Sequence, residues 1–195
     1  MKIFLTGASG LVGSAFARAA ARNGHEIVGT VGRFRGKIAG LTRQLTLDLT
    51  DETAVTKALL DSEAEAVVNA AAISEPAACE KDPQGSAAMN VALPATLARL
   101  AQRLGAALVH VSSEQVFDGE RSTAYAKGDA TSPINVYGGQ KVASERAVLE
   151  AASKLAAVVR APLLMGDSPG GQRSLHERLL GDWAAGRTAR LYVDE

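Results

Sequence analysis

Thr6-Gly7-Ala8-Ser9-Gly10-Leu11-Val12-Gly13 follows directly on the apolar run Ile3-Phe4-Leu5. A strand-length apolar run that breaks into glycines and re-emerges as an Ala-rich, helix-period segment reads as a strand–turn–helix unit. In such a unit Gly7 permits the tight turn, Gly10 lets backbone approach a pyrophosphate, and Gly13 allows close helix–sheet packing. The free N–H groups that open the helix, at Leu11 and Val12, then face an anion, with Ser9 beside it. The spacing is G-x-x-G-x-x-G rather than the G-x-G-x-x-G of many dehydrogenases, and the flanking strand and helix favour a dinucleotide over a ligand-free turn.

Outward from this turn, short aliphatic and β-branched runs alternate with longer Ala-rich segments, which predicts βαβ units around a parallel sheet. Strands are expected at about 2–6, 26–31, 44–46, 66–69, 107–112 and 157–160, and helices at about 11–23, 52–61, 84–104, 136–152 and 174–185. Gly24 and Gly105 sit where C-caps belong, and Pro83 suits the opening of the long helix. The fold class is therefore α/β, a Rossmann-type doubly wound parallel sheet with helices on both faces. One such domain spans residues 1–195, with no internal repeat or linker. The polar stretch 118–135 is the longest loop, and long loops in compact domains are often functional. A further strand is expected to begin at Arg190-Leu191-Tyr192-Val193, so the chain reads as stopping in mid-fold, before a substrate-binding lobe.

The second strand continues Val28-Gly29-Thr30-Val31-Gly32-Arg33-Phe34-Arg35. An NAD site would close this strand with a carboxylate for the ribose hydroxyls. Here no acid appears, and the guanidinium forks of Arg33 and Arg35 suit a 2′-phosphate instead, favouring NADP(H) over NAD(H). The alternative is a solvated basic loop. Asp48, with Leu49 after it, ends the third strand and is placed either to accept from an adenine amino group or to cap the helix near Glu52.

Tyr137 and Lys141 stand four apart on a predicted helix and so share a face. An ammonium near a phenol favours the phenolate, which is expected to lower the Tyr137 pKa toward the range of a working acid–base group. Ser113 falls at the end of the fifth strand, where open α/β sheets bind ligands, and its hydroxyl is suited to a substrate carbonyl. A Y-x-x-x-K spacing is weak alone; with the glycine turn and Ser112-Ser113 it becomes specific. The remaining polar residues read more plainly. His110 is expected to be a packed strand residue, and His25 and His176 lack metal-ligand spacing. Cys79 has no neighbouring histidine to activate it, and Asn90 is expected to order backbone or water.

Composition narrows the class. The 195 residues are 47% apolar, 22% charged and 4% aromatic, with a formal net charge of +0. Balanced charge and few aromatics argue against a nucleic-acid partner. No apolar stretch is long enough to cross a bilayer, and the N-terminus does not read as a signal peptide. A single cysteine fits a reducing cytoplasm.

The glycine turn, Val67-Val68-Asn69-Ala70-Ala71-Ala72, Met89-Asn90-Val91, Val111-Ser112-Ser113-Glu114-Gln115-Val116-Phe117-Asp118-Gly119 and Pro133-Ile134-Asn135-Val136-Tyr137-Gly138-Gly139-Gln140-Lys141 resemble the extended short-chain dehydrogenase/reductase family. Within it the likeness is to dTDP-4-dehydrorhamnose reductases and their relatives, over essentially the whole chain. The resemblance implies a catalytic triad of Ser113, Tyr137 and Lys141, with the last two also touching cofactor. It implies cofactor contacts at Asn69, Ala70, Ala71 and Ala72, and a nicotinamide neighbour at Ala161-Pro162-Leu163. Ser112-Ser113-Glu114-Gln115 stands where the reductases read Ser-Thr-Asp-Tyr, so one aromatic substrate contact is absent. Lys127 stands where a glutamate is common.

The expected activity is NADP(H)-dependent reduction of a keto group on a sugar or sugar nucleotide, a small-molecule substrate. The alternatives are a sugar-nucleotide epimerase and a non-catalytic NADP-binding subunit resembling the methionine adenosyltransferase β subunit. The resemblance also implies a homodimer through the 84–104 and 136–152 helices, whose Ala87-Ala88 and Ala151-Ala152 would allow close approach. No metal is expected.

Overall fold

A computed structural model describes residues 1–188. Six strands form one sheet, β1 (Lys2–Thr6), β2 (Glu26–Val31), β3 (Arg43–Thr46), β4 (Ala66–Asn69), β5 (Ala107–Ser113) and β6 (Ala156–Ala161). Their spatial order is β3-β2-β1-β4-β5-β6, and every neighbouring pair is parallel. Chain progression reverses between β1 and β4. That switch point is where strand ends splay and leave a crevice. The expected Arg190–Val193 strand lies outside the described residues.

Alternation along β1 divides the core into two layers. Ile3 and Leu5 point to one face, where Ala17 and Ala20 of α1 (Leu11–Arg22) cover them with Ile27, Val31 and Val68. Phe4 points to the other, where it packs with Val67, Leu108, and Val55 and Leu59 of α2 (Glu52–Leu60). Leu93, Leu97, Leu100 and Ala101 of α5 (Leu93–Leu104) and Val148 of α6 (Val136–Ala151) complete that layer. Ala152 is fully buried in this core and Ala151 packs against it, so these two alanines serve the chain's own interior.

Where a single helix is expected over 84–104, the structure has several shorter pieces. A short α3 (Pro76–Lys81) precedes α4 (Pro83–Ala87), whose N-terminus is capped by Asp82 accepting from the Gly85 N–H at 2.9 Å. A π-helical turn at Ala88–Ala92 then joins α4 to α5. Pro94 falls just after the π turn; it has no N–H to donate and its ring crowds the preceding turn, so regular α-helix cannot run through. Gly105 closes α5 in the left-handed region at φ 67°, as its position in the sequence predicts. The last helix, α7 (Leu175–Ala184), opens with a capping box between Ser174 and Glu177.

Leu97 lies fully buried where α5 meets the sheet. Leu97→Ala is expected to destabilise the protein by about 2–5 kcal/mol through lost burial and the cavity left behind. Urea unfolding should show a lower midpoint at an unchanged slope.

Candidate active site

The glycine turn is built by steric exclusion. Gly7 adopts φ 69°, and a Cβ there would lie 2.7 Å from the Ala70 carbonyl oxygen and 2.8 Å from the Ala71 Cα. The loop after β4 is thus pressed directly on the turn. A Cβ at Gly13 would meet the Gly7 carbonyl oxygen at 2.2 Å, so this glycine lets the helix close on the turn itself. Gly10 is the N-cap of α1 and has no side chain to satisfy the helix's first N–H groups. Those of Leu11, Val12 and Gly13 are therefore available to an anion beside Ser9. Arg33 and Arg35 follow β2, are exposed, and pair with no carboxylate among the described residues.

Two neighbours of the turn are committed elsewhere. Asp48 is exposed and accepts from the Thr50 N–H at 2.9 Å and the Thr50 hydroxyl at 2.7 Å, which holds its carboxyl below the usual range. Asp51, not Asp48, caps α2, through the Ala54 N–H at 3.0 Å. Leu49 is buried in the core. Asn69 is 1% exposed and its amide turns inward: Oδ1 accepts from the Thr6 hydroxyl at 2.5 Å and the Ala71 N–H at 3.3 Å. Its Nδ2 lies 3.0 Å from Nδ1 of His110. Ala70 and Ala71 are half-buried, and Ala72 is exposed.

Ser113 ends β5 and Tyr137 opens α6; both are 6% exposed. The Ser113 hydroxyl accepts from the Gln115 N–H at 3.2 Å and donates to the Glu114 carboxylate at 2.8 Å. Asn135 caps α6 by accepting from the Gly138 N–H at 2.7 Å. The sequence gives Gly138 no role of its own, yet a Cβ there would stand 2.1 Å from the Gln115 carbonyl oxygen. Only glycine lets α6 sit this close to the turn that carries Ser113.

Burial, first of all, raises the Tyr137 pKa; the Ser113 hydroxyl works against this, and the Glu114 carboxylate and Cys79 add to it. The expectation that Lys141 would lower it is corrected here. Spacing of four fixes a common helix face, but not where a long side chain ends. Lys141, 1% exposed, reaches under the strand end and donates to the Val111 carbonyl at 2.8 Å. Burial pushes its pKa down to about 8, against the opposing pull of Glu145.

Glu145, one turn beyond Lys141, also went unread in the sequence. It is 6% exposed, accepts from the Ser112 hydroxyl at 2.5 Å, and takes the Arg160 guanidinium through Nε at 3.0 Å and Nη2 at 2.7 Å. Arg160 lies over the Phe117 ring at 5.0 Å, and Phe117 stacks on Tyr125 at 4.2 Å. Tyr125 donates to Asp118 and lies under Arg121, which pairs with Asp129 at 2.7 Å. The long loop after β5 is thereby tied to the catalytic helix. Asn90, in the π turn, orders backbone as expected, bonding both the N–H (2.8 Å) and the carbonyl (3.0 Å) of Ile73 and reaching Gln140 at 2.8 Å. Cys79 is buried against Ile73 and Asn90.

The profile of the RmlD substrate binding domain matches residues 1–182. The chain belongs to this family. It is 34% identical to the methionine adenosyltransferase 2 subunit beta of Xenopus laevis, over 85% of this chain and 48% of that one. It is 35% identical to the dTDP-4-dehydrorhamnose reductase of Mycolicibacterium smegmatis, over 77% of this chain and 42% of that one. A solved dTDP-4-dehydrorhamnose reductase of Clostridium acetobutylicum superposes with a TM-score of 0.80 at 25% identity, covering 95% of this chain and 60% of the other. The chain spans about half the length of the curated relatives it matches. No helix among the described residues is long and apolar enough to cross a membrane, and no cluster of His, Cys, Asp and Glu among them could hold a metal.

The depressed Lys141 pKa predicts a pH signature. Between about pH 8 and the ordinary lysine value, the unfolded chain binds a proton that the folded chain does not. Stability should therefore rise with pH through that window, by on the order of 3 kcal/mol in full. Lys141→Met should flatten the rise, measured as urea unfolding free energy at a series of pH values.

Proposed function

We propose that this chain is the cofactor-binding, catalytic portion of an NADP(H)-dependent oxidoreductase that reduces a keto group on a sugar or sugar nucleotide. The observation that carries the reading is convergence. The uncapped helix behind the glycine turn, Ser113, Tyr137 and Lys141 all lie at the carboxyl ends of parallel strands, beside the switch point. The residues fit the cofactor: a turn in which a Cβ at Gly7 or Gly13 would strike backbone, an α1 N-terminus open to a pyrophosphate, and two guanidinium groups past β2, unpaired among the described residues, for a 2′-phosphate.

Bound NADPH would supply hydride to the carbonyl carbon. Tyr137, whose buried phenol stays protonated at neutral pH, gives its proton to the carbonyl oxygen as the charge develops. Ser113 orients that oxygen, and Lys141 places a buried cation beneath the site. Asn69 holds the post-β4 loop, including Ala70 to Ala72, against the cofactor turn.

A second reading rests on the 34% identity to a methionine adenosyltransferase subunit: an NADP-binding regulatory role without turnover. Consumption of NADPH with a keto-sugar separates the two, and its absence with a tight protein partner favours the second. An epimerase would use the same triad without net NADPH consumption. A homodimer through α5 and α6 and a cytoplasmic location belong to the proposal as well. The single, buried cysteine fits the latter.

NADPH is expected to bind at least tenfold more tightly than NADH, about 1.4 kcal/mol, by calorimetry. Alanine at both Arg33 and Arg35 should erase most of that margin; equal affinities in the unaltered protein would defeat the NADP assignment. Tyr137→Phe should lower kcat by about two orders of magnitude with NADPH affinity nearly intact. Normal turnover in that variant would remove the tyrosine from the chemistry.

A further inference from the structure

His110 sits between the strands of the cofactor turn and the helix of the catalytic lysine, 1% exposed, at the centre of a chain of buried polar groups. The direction of every hydrogen bond in that chain follows from one backbone group. The Ala71 N–H can only donate, and it meets the Asn69 side chain at 3.3 Å, so the oxygen of that amide must face it. The amide nitrogen is then the atom turned to His110 Nδ1, at 3.0 Å, and it donates there. An imidazole that accepts at Nδ1 and is neutral carries its proton on Nε2. That proton is directed to the Ser144 hydroxyl oxygen at 3.0 Å, and Ser144 in turn donates to the Lys141 carbonyl at 2.8 Å. Every bond in the series then has one donor and one acceptor.

Lys141 Nζ lies 3.4 Å from the same Nε2. An ammonium and a protonated Nε2 are both donors and cannot bond to each other, so with Lys141 charged this approach is not a hydrogen bond. The ammonium donates instead to the Val111 carbonyl, at 2.8 Å. A charged imidazole would face the Lys141 ammonium across that gap. Burial and this ammonium together push the His110 pKa down to about 3. The other charged group beside Lys141 is Glu145, on its own helix, with Arg160 of β6 bonded behind it. Asn69 of β4 and Ser144 of α6 contribute only neutral groups.

We propose that His110 is a positioning residue for Lys141: a neutral imidazole locked as its Nε2–H tautomer, which carries the register of the cofactor-side strands across to the catalytic helix and directs the lysine ammonium onto the Val111 carbonyl. The role goes beyond the packed strand histidine that the sequence predicts. It rests on the reading of Lys141 as a catalytic group, and the principal readouts below need no turnover.

The test is nitrogen-15 NMR on the full chain, with the histidine rings and the lysine side chains labelled. The expected spectrum shows His110 with a protonated Nε2 and an unprotonated Nδ1, unchanged from pH 5 to 8. A ring protonated at Nδ1, or one that titrates in that range, overturns the proposal. Asn69→Asp replaces the amide donor by an acceptor and should move the ring proton to Nδ1, freeing Nε2 to accept from Lys141. The Lys141 Nζ resonance and its pH midpoint should shift with it; a tautomer change with no response at Lys141 overturns the coupling. His110→Phe keeps the ring volume but breaks the chain, and is expected to weaken NADPH binding at least tenfold and to move the Lys141 midpoint. Loss of stability alone, with both unchanged, would reduce His110 to a packing residue and sink the proposal. Should the unaltered protein bind no NADPH, the reductase reading fails, while the tautomer and the Lys141 midpoint still decide this one.

Discussion

A lysine with 1% of its surface in water stays protonated only if protein groups replace its hydration. Much of this site follows from how Lys141 is accommodated. The Val111 carbonyl supplies one acceptor, and Glu145, one turn along α6, supplies the negative charge. Burying Glu145 creates the same difficulty with the sign reversed. Arg160 and the Ser112 hydroxyl meet it. Arg160 then needs a surface to lie on, and the Phe117–Tyr125 stack provides one. One buried cation is thus linked, contact by contact, to the strand end that carries Ser113, to the edge strand β6 and to the long loop after β5. Removing one charge from such a series leaves another uncompensated, so the members should be strongly non-additive in double-mutant cycles.

Electrostatics would not place these groups without steric permission, and glycine gives it at two junctions. At Gly7 the backbone after β4 approaches to a distance no Cβ tolerates, which joins the glycine turn to Ala70 and Ala71, next to Asn69. At Gly138 the catalytic helix meets the Gln115 carbonyl in the same way, which joins Tyr137 to Ser113. The two contacts differ in backbone conformation. Gly7 needs both the space and its positive φ, whereas Gly138 lies within α6 and needs only the space. Between these junctions the Asn69–His110–Ser144 chain fills the interior with bonds in place of voids.

The parts of this architecture visible in the sequence are those governed by local pattern. The run Ile3-Phe4-Leu5 before Gly7, the left-handed cap at Gly105 and the four-residue step from Tyr137 to Lys141 each depend on a few neighbouring residues, and the structure has all three. What escaped the sequence depends on partners distant in the chain. The π turn was foreshadowed by Pro94, but a periodic apolar stripe from residue 84 to 104 masks a one-residue change of register. Glu145 went unread because Ser112 and Arg160 are brought to it only by the fold. The tilt of the Lys141 side chain toward β5 was hidden for the same reason. Its consequence for Tyr137 was therefore misjudged: helix spacing records who shares a face, and burial decides the pKa.

The sense of that last correction bears on what the site is suited to do. A phenolate at rest would serve a reaction that begins by removing a proton from a hydroxyl, as oxidation does and as an epimerase must do in its first half-cycle. A phenol held protonated by burial instead serves a reaction in which the proton is delivered as a carbonyl oxygen gains charge. Burial, Glu114 and Cys79 all bias Tyr137 toward the protonated form, and only the Ser113 hydroxyl opposes them. The Glu114 carboxylate, where the resembling reductases carry an aspartate, sustains that bias from the residue next to Ser113. Burial and the neighbouring residues of this chain thus hold the Tyr137 phenol in its protonated form.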